Sequence, residues 1–368
     1  MTPDSSRTTV GPAAQTTSAG TPPSAPAAKD SRRLRDRLPG GGRSFGAAAG
    51  IVAATVLLFI VSEIVQPQSL SHSSLLGMLP FAAILAIVAV GQTLVIQQGG
   101  IDLSVPGMIS LTVVLMASVP KGDNGKLPLA ILEAVLAALV AGTLSGVLVS
   151  RVGITPIVTT LGMNALLYGF VINVSGGNPP STTKALNNFA TGKIAGVPTT
   201  VPIAIVVTAL VAFVVKKTVA GRRFEGVGAS DTGARAAGLV VARHKMVAYM
   251  AAALLYCAAG ILLGGVVSTP SAFQGDSYLL PSVAAVVLGG TSLLGGRGSV
   301  AASAVAALFL TQLDQLLLTS GASSAVQSLV QAGALVIGIA IYSVPWGRVR
   351  EWLQQRRSSR SAAAPATQ

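Results

Sequence analysis

The chain has 368 residues, of which 51% are hydrophobic and only 10% are charged. Soluble domains carry about 25% charged residues, so an ordinary soluble enzyme or binding module is excluded. The net charge of +13 does not point to nucleic acid, because the basic residues cluster in the tails and a few connections without aromatic interleaving.

Residues 1 to 43 are rich in Pro, Ser, Thr, Ala and Gly and end in the basic run "KDSRRLRDRLPGGGR". Too little apolar surface is present to offset chain entropy, so this reads as a disordered cytoplasmic tail. It is not a signal peptide, since the first apolar block runs on into "SEIVQPQ" without a small-x-small cleavage site. Ten apolar segments follow, at approximately 45–65, 75–97, 104–119, 127–149, 153–175, 201–217, 246–269, 278–295, 299–319 and 325–345. Most are near the roughly 20 residues a helix needs to cross the hydrocarbon core; the third, sixth and eighth are short enough to be tilted, broken or re-entrant. The seventh holds the lone Cys257 as a small buried apolar residue, which excludes a disulfide framework and a cysteine metal cluster. Residues 346–368, beginning "WGRVREWLQQRRSSR", read as a basic interfacial end and a disordered tip.

The fold class is therefore an all-α polytopic membrane protein of about ten transmembrane helices, with a permease domain at 44–345. With the N-terminus inside, 21 of the 25 Lys and Arg fall on the inner side and only Lys121, Lys126, Lys184 and Lys193 outside. That imbalance predicts both ends in the cytoplasm. The outer stretch 176–200 is polar and turn-rich. The inner loop 216–245 is basic and holds one short helical pattern.

"GQTLVIQQGGIDLS", residues 91–104, interrupts the apolar pattern with Gly99, Gly100 and Asp102. The glycines permit a tight turn. Asp102 and Ser104 suit the cap of the next helix, where a carboxylate meets partial positive charge. "GGRGSV", residues 295–300, repeats the device with Gly295, Gly296, Arg297 and Gly298 ahead of Ser299 as a cap. On chemistry alone these are hairpin turns between membrane helices, or broken backbone lining a pathway or gate. The pairs Gly142/Gly146 and Gly260/Gly264 have the spacing of close helix packing.

"GQTLVIQQGGIDLSV" with "AAVVLGGTSLLGGRGSV" resembles the permease subunit of ATP-binding-cassette importers of the ribose, xylose and simple-sugar class. "ITPIVTTLGM" (154–163) and "GASDTGARAAGL" (228–239) extend the resemblance over about 75–345. It implies a fold related to the cobalamin-importer-type permeases and a multi-pass protein of a prokaryotic plasma (cell inner) membrane. It also implies a second permease chain, as a homodimer, with an ATPase subunit or tandem ATPase below and an extracytoplasmic solute-binding protein above. Residues 228–239 would be the short helix gripped by the ATPase, with Asp231 as its cap, Thr232, Ala234 and Arg235 within it and Gly238 as its stop. Thr232 and Gly233 depart from the glutamate and alanine usual there. A basic loop held to anionic membrane lipid is the plainer reading of that stretch.

No G-x-x-x-x-G-K-[ST] loop is present, so any ATP and Mg belong to a partner chain, and neither a catalytic residue, a metal site nor a cofactor is assigned to this one. A polar path for solute is expected from Gln92, Thr93, Asn164, Tyr168, Gln312, Asp314, Gln315, Gln327 and Gln331, with interhelical hydrogen bonding as the alternative use of such groups. Two competing functions stand: an ion-coupled secondary transporter using Asp102 or Asp314, and a branched-chain amino-acid permease subunit. A membrane-embedded enzyme is disfavoured, because His72 and His244 fall on opposite sides in the predicted topology and no nucleophile–base pair is visible.

Overall fold

The structure, a computed structural model, describes residues 42–343. The two tail expectations fall almost wholly outside those residues. Thirteen α-helices lie within the described range. Seven are long and apolar enough to cross a membrane, and three shorter apolar helices accompany them.

The first is α1, Gly42–Val65, and the second α2, His72–Gln97. α3 (Val105–Ser118), α4 (Leu127–Val147) and α5 (Pro156–Ser175) follow, α4 loosening into a π-turn at Leu148–Val152. α6 is short, Lys184–Thr191, and precedes α7, Thr200–Lys217. Two short helices, α8 (Val219–Ala229) and α9 (Asp231–Ala236), lead into α10, Val241–Val267. α11 (Leu279–Leu288), α12 (Val300–Thr319) and α13 (Ser324–Ser343) complete the described chain.

α2 and α10 form the centre. α2 is buried without interruption from Ala82 to Gln97, as expected for a helix apolar on every face. α10 packs on α2, α3 and α4, while α12 joins α2 to α1 and α5 backs α3. Gly142 and Gly146 make the α4–α10 contact possible: a Cβ at either would stand 2.7 Å from a backbone Cα of α10, at Met250 and Met246. At that separation backbones meet directly, which is how membrane helices gain packing without a hydrophobic driving force. The peripheral helices instead carry exposed apolar side chains, among them Leu57 and Ile64 on α1, Leu166 on α5 and Phe213 on α7. Such an unbroken outer band suits hydrocarbon.

Three boundaries differ from the expectation. The eighth segment stops at Leu288 rather than near 295, because Gly289 and Gly290 end the helix and the following residues form a loop. The 176–200 stretch is folded. Thr183 caps α6, a two-stranded hairpin pairs Lys193–Ile194 with Val197–Pro198, and Asn187 Nδ2 donates to the Gly265 carbonyl of α10 at 2.8 Å. The 216–245 loop holds two helices, not one.

Candidate functional site

At one end of the bundle, three connections meet at backbone distance. The first is the end of α2. Its last turn closes through Gly99 N–H to the Ile96 carbonyl at 2.9 Å and Gly100 N–H to the Val95 carbonyl at 3.2 Å, with Gly99 in the left-handed region at φ +76°. The chain then runs extended to α3. Asp102 is 2% exposed, and its Oδ1 accepts from the Ser104 backbone N–H at 2.9 Å and from Ser104 Oγ at 2.6 Å. Ser104 occupies the cap position without a side-chain capping bond, so Asp102 closes this turn by an Asx-type bond instead.

The second connection is the 291–299 loop. Gly295 and Gly296 are both left-handed, at φ +86° and +75°. Gly296 N–H donates to the Gln97 carbonyl at 2.9 Å, and Ser299 caps α12 by accepting from Ala302 N–H. Gln97 Nε2 and Thr291 Oγ1 flank Gly298, 2.6 and 2.8 Å from where a Cβ would stand. Arg297 points outward and is exposed, as is Leu294 at 93%.

The third is the end of α8. Gln98 Nε2 donates to the Phe224 carbonyl at 2.9 Å. Gly228 lies so close to the Gln97 carbonyl that a Cβ would overlap it, and a Cβ on Gly296 would come within 2.6 Å of the Ala229 Cα. Thus Gly99, Gly295, Gly296 and Gly228 at the start of 228–239, far apart in sequence, form one junction around Gln97, and Gly100 and Asp102 lead from it to α3. Gln97 and Gln98 are the two residues that the motif reading passed over. Their signal was a pair of amides placed directly before the double glycine.

α9 projects from this junction. Ser230, not Asp231, is its N-cap: Ser230 Oγ accepts from Gly233 N–H at 3.1 Å, and Asp231 is the first helical residue. Asp231 Oδ2 instead receives Lys245 Nζ of α10 at 2.6 Å, with Arg235 Nη2 at 3.9 Å. Ala234 is the buried side of α9, packed with Val227, Val241 and Leu239. Thr232 and Arg235 face outward. Gly238 at φ +76° ends the helix, with Leu239 N–H returning to the Ala234 carbonyl at 2.9 Å. The result is a capped turn and a half with Thr232 and Arg235 on its exposed side.

Apart from Asn164 and Tyr168, which meet beside Gly107 and Asp276, the polar residues expected along a path do not gather in one lining, and most tie helices in separate pairs. Gln92 accepts from Tyr256 OH at 2.8 Å, joining α2 to α10, and Thr93 Oγ1 reaches Ser303 Oγ at 2.9 Å on α12. Gln312 Nε2 donates to Ser62 Oγ at 3.1 Å on α1. Asp314 accepts from Gln331 Nε2 with both oxygens, at 2.8 and 2.7 Å. Gln327 Nε2 bonds the Ala322 carbonyl at 3.1 Å, and Gln315 is partly buried. Asn164 Oδ1 accepts from Gly107 N–H at 2.8 Å, while Tyr168 OH donates to Asp276. No group of His, Cys, Asp and Glu able to hold a metal occurs among the described residues.

A family model described as the permease component of branched-chain amino-acid transport systems matches residues 74–340. The ribose import permease protein RbsC of Escherichia coli (strain K12) is 32% identical over 296 residues, 79% of this chain and 92% of its own. RbsC of Bacillus subtilis (strain 168) is 31% identical over 293 residues, 77% and 89% of the two chains. The fructose import permease protein FruF of Bifidobacterium longum (strain NCC 2705) is 32% identical over 290 residues, 74% and 81%. No solved structure matches the chain.

Proposed function

This chain belongs to the branched-chain amino-acid-type transport permease family, and on that premise we propose that it is the membrane-spanning subunit of an ATP-driven importer for a monosaccharide or similar small polar solute. The import permeases it matches carry ribose and fructose in their names, and this favours a sugar over a branched-chain amino acid. The seven long and three shorter apolar helices act as ten spans, with both ends in the cytoplasm of a prokaryotic cell and a cobalamin-importer-type arrangement of two identical permease chains. A partner ATPase binds ATP and Mg and grips α9 from the cytoplasm. A solute-binding protein delivers from the other side.

The observation that carries this reading is the convergence at one bundle end: a short exposed helix whose lead-in, Gly228 and Ala229, meets the end of α2 and the loop before α12 at backbone distance. A partner closing on α9 displaces Ser230–Leu239 as a body, and the Gln97 junction passes that displacement to the long spans. Such a lever needs no ion gradient, and Asp102 and Asp314 are each already engaged by a neighbouring donor.

The test is reconstitution with the ATPase and the binding protein in proteoliposomes. Uptake of labelled D-ribose or D-fructose is expected only with ATP and the ATPase present. Full-rate uptake with the ATPase omitted, driven by a sodium or proton gradient, returns the assignment to a secondary transporter. Competition by leucine but not by sugars returns it to amino acids.

A further inference from the structure

The two short spans α3 and α11 are each preceded by non-helical chain, residues 98–104 and 268–275. Their N-terminal ends meet. Gly275 N–H donates to Ser110 Oγ at 2.9 Å, and Gly275 sits so close to the Pro106 carbonyl that a Cβ has no room. α5 borders the same place: Asn164 bonds Gly107 N–H, and one turn on, Tyr168 OH donates to Asp276. The Tyr168 and Phe273 rings make an edge-to-face pair with centroids 5.1 Å apart.

Depth decides what this cluster is for. Tyr168 lies twelve residues along the 20-residue α5, about 18 Å from its start at 1.5 Å per residue, and therefore in the middle of the span whichever way it points. Asp276 is exposed there, and Phe273 is 44% exposed. An ionised carboxylate at mid-depth is sustained only where it faces water or a polar partner. Non-helical backbone at that depth likewise persists only inside protein or along a water-filled cavity. Interrupted spans that begin near the midplane build solute sites in transporters.

We propose that Asn164, Tyr168, Phe273 and Asp276 form a mid-membrane contact site for a polyhydroxylated solute such as a monosaccharide. The Asp276 carboxylate accepts hydrogen bonds from adjacent sugar hydroxyls, with Tyr168 OH fixing its orientation. The exposed face of Phe273 packs against the C–H face of the ring, excluding solutes without an apolar side. Few groups contact the solute, so the site holds weakly enough to release. The choice of solute rests on the importer reading; the aqueous site does not.

Single cysteines in the assembled transporter test it. Ser271→Cys and Ser277→Cys, exposed positions beside Phe273 and Asp276 that leave both contact groups in place, are expected to react with a membrane-impermeant methanethiosulfonate, while buried native Cys257 and the lipid-facing control Leu166→Cys do not. D-ribose, D-xylose, D-glucose and D-fructose are then tried in turn at millimolar concentration. At least one is expected to slow both reactions about threefold or more, as occupancy competes with reagent. Rates no faster than at Leu166→Cys overturn the site, as does labelling that none of the four sugars slows. If the wild-type complex shows ATP-driven sugar uptake in either of those cases, this site alone fails. Labelling and protection without ATP-driven uptake would overturn the importer and leave the site.

Discussion

Gly228→Ala is the sharpest probe of the junction around Gln97. The added methyl group overlaps the Gln97 carbonyl oxygen, and that oxygen belongs to the backbone, so no side-chain rotation relieves it. Restoring van der Waals contact parts the ends of α2 and α8 by on the order of 1 Å. Two bonds of 2.9 Å cross that gap or share its carbonyl, Gln98 Nε2 to Phe224 and Gly296 N–H to Gln97. Overpacking costs about 1–3 kcal/mol, and each weakened hydrogen bond adds about 0.5–1.5 kcal/mol. The expected loss is therefore roughly 2–6 kcal/mol. Gly226 is the matched control, since it lies on the same helix and a Cβ there meets nothing within 4 Å. Gly226→Ala should be neutral or stabilising by up to about 1 kcal/mol of helix propensity. Buried Cys257 supplies the assay: a thiol-reactive fluorogenic maleimide reports its exposure on heating in detergent. At about 2 °C per kcal/mol, Gly228→Ala should lower the midpoint by roughly 4–12 °C, and Gly226→Ala should leave it unchanged or raise it by about 2 °C. Equal midpoints for the two variants would refute the close backbone contact.

Gln97→Met should stabilise by about 1–2 kcal/mol, because both side-chain amide atoms are buried without a hydrogen-bond partner; Gln98→Met should fall below it by about 1 kcal/mol or more, because it loses the bond to Phe224 and removes only one unpartnered atom, Oε1. The same thermal assay checks both, and a midpoint for Gln98→Met at or above that of Gln97→Met contradicts the assignment. Arg235→Glu combined with Asp231→Ala should leave membrane insertion intact while abolishing ATP-coupled uptake, measured in proteoliposomes; normal coupled uptake removes α9 as the docking element. Gly142→Leu should cost about 3 kcal/mol or more by forcing α4 from the Met250 backbone, and a wild-type midpoint would show that the α4–α10 approach is loose.

Spans were legible because hydropathy blocks and helices answer to the same constraint: in hydrocarbon every backbone group must be bonded within its own segment. Hence α2, predicted at 75–97, runs His72–Gln97, and α12, predicted at 299–319, runs Val300–Thr319. The Ser299 cap and the Gly238 stop were equally plain, since each depends only on neighbours in sequence. What failed to show were features fixed by partners distant in the chain. Asp231 looks like a cap by residue type, yet Lys245 competes for its carboxylate and Ser230 takes the capping role. The 176–200 stretch reads as loop because α6 is only eight residues long, too short to stand alone; it is held by Asn187 on Gly265 and by Thr182 N–H on the Ser268 carbonyl. Asp276 and Phe273 fall in a connection that carries no motif. Only the contact between α3, α5 and the 268–278 segment places them at mid-span.

The junction also ranks the routes by which a push on α9 reaches the membrane. One route is the Asp231–Lys245 pair to α10, at 2.6 Å but with Asp231 38% exposed. Such partly solvated pairs contribute about 0–1 kcal/mol and weaken with salt, so the pair yields under load. The other route runs from Ser230 back to Ala229 and Gly228, and from there into Gln97 and Gly296, where the spacing leaves no room for a methyl group. Close-packed backbone resists compression far better than an ion pair resists stretching. In the proposed importer, an inward push on α9 is therefore delivered first to the ends of α2 and α12, and Lys245 serves to hold α9 in register. α2 then carries the displacement to α3 through the bonded turn at Asp102, whose far side is tied by Leu103 N–H to Thr160 on α5 at 2.9 Å. α5 carries Asn164 and Tyr168. The chain of contacts thus ends at the mid-span cluster, which gives the glycines at the junction a mechanical reason to be there beyond the turns they permit.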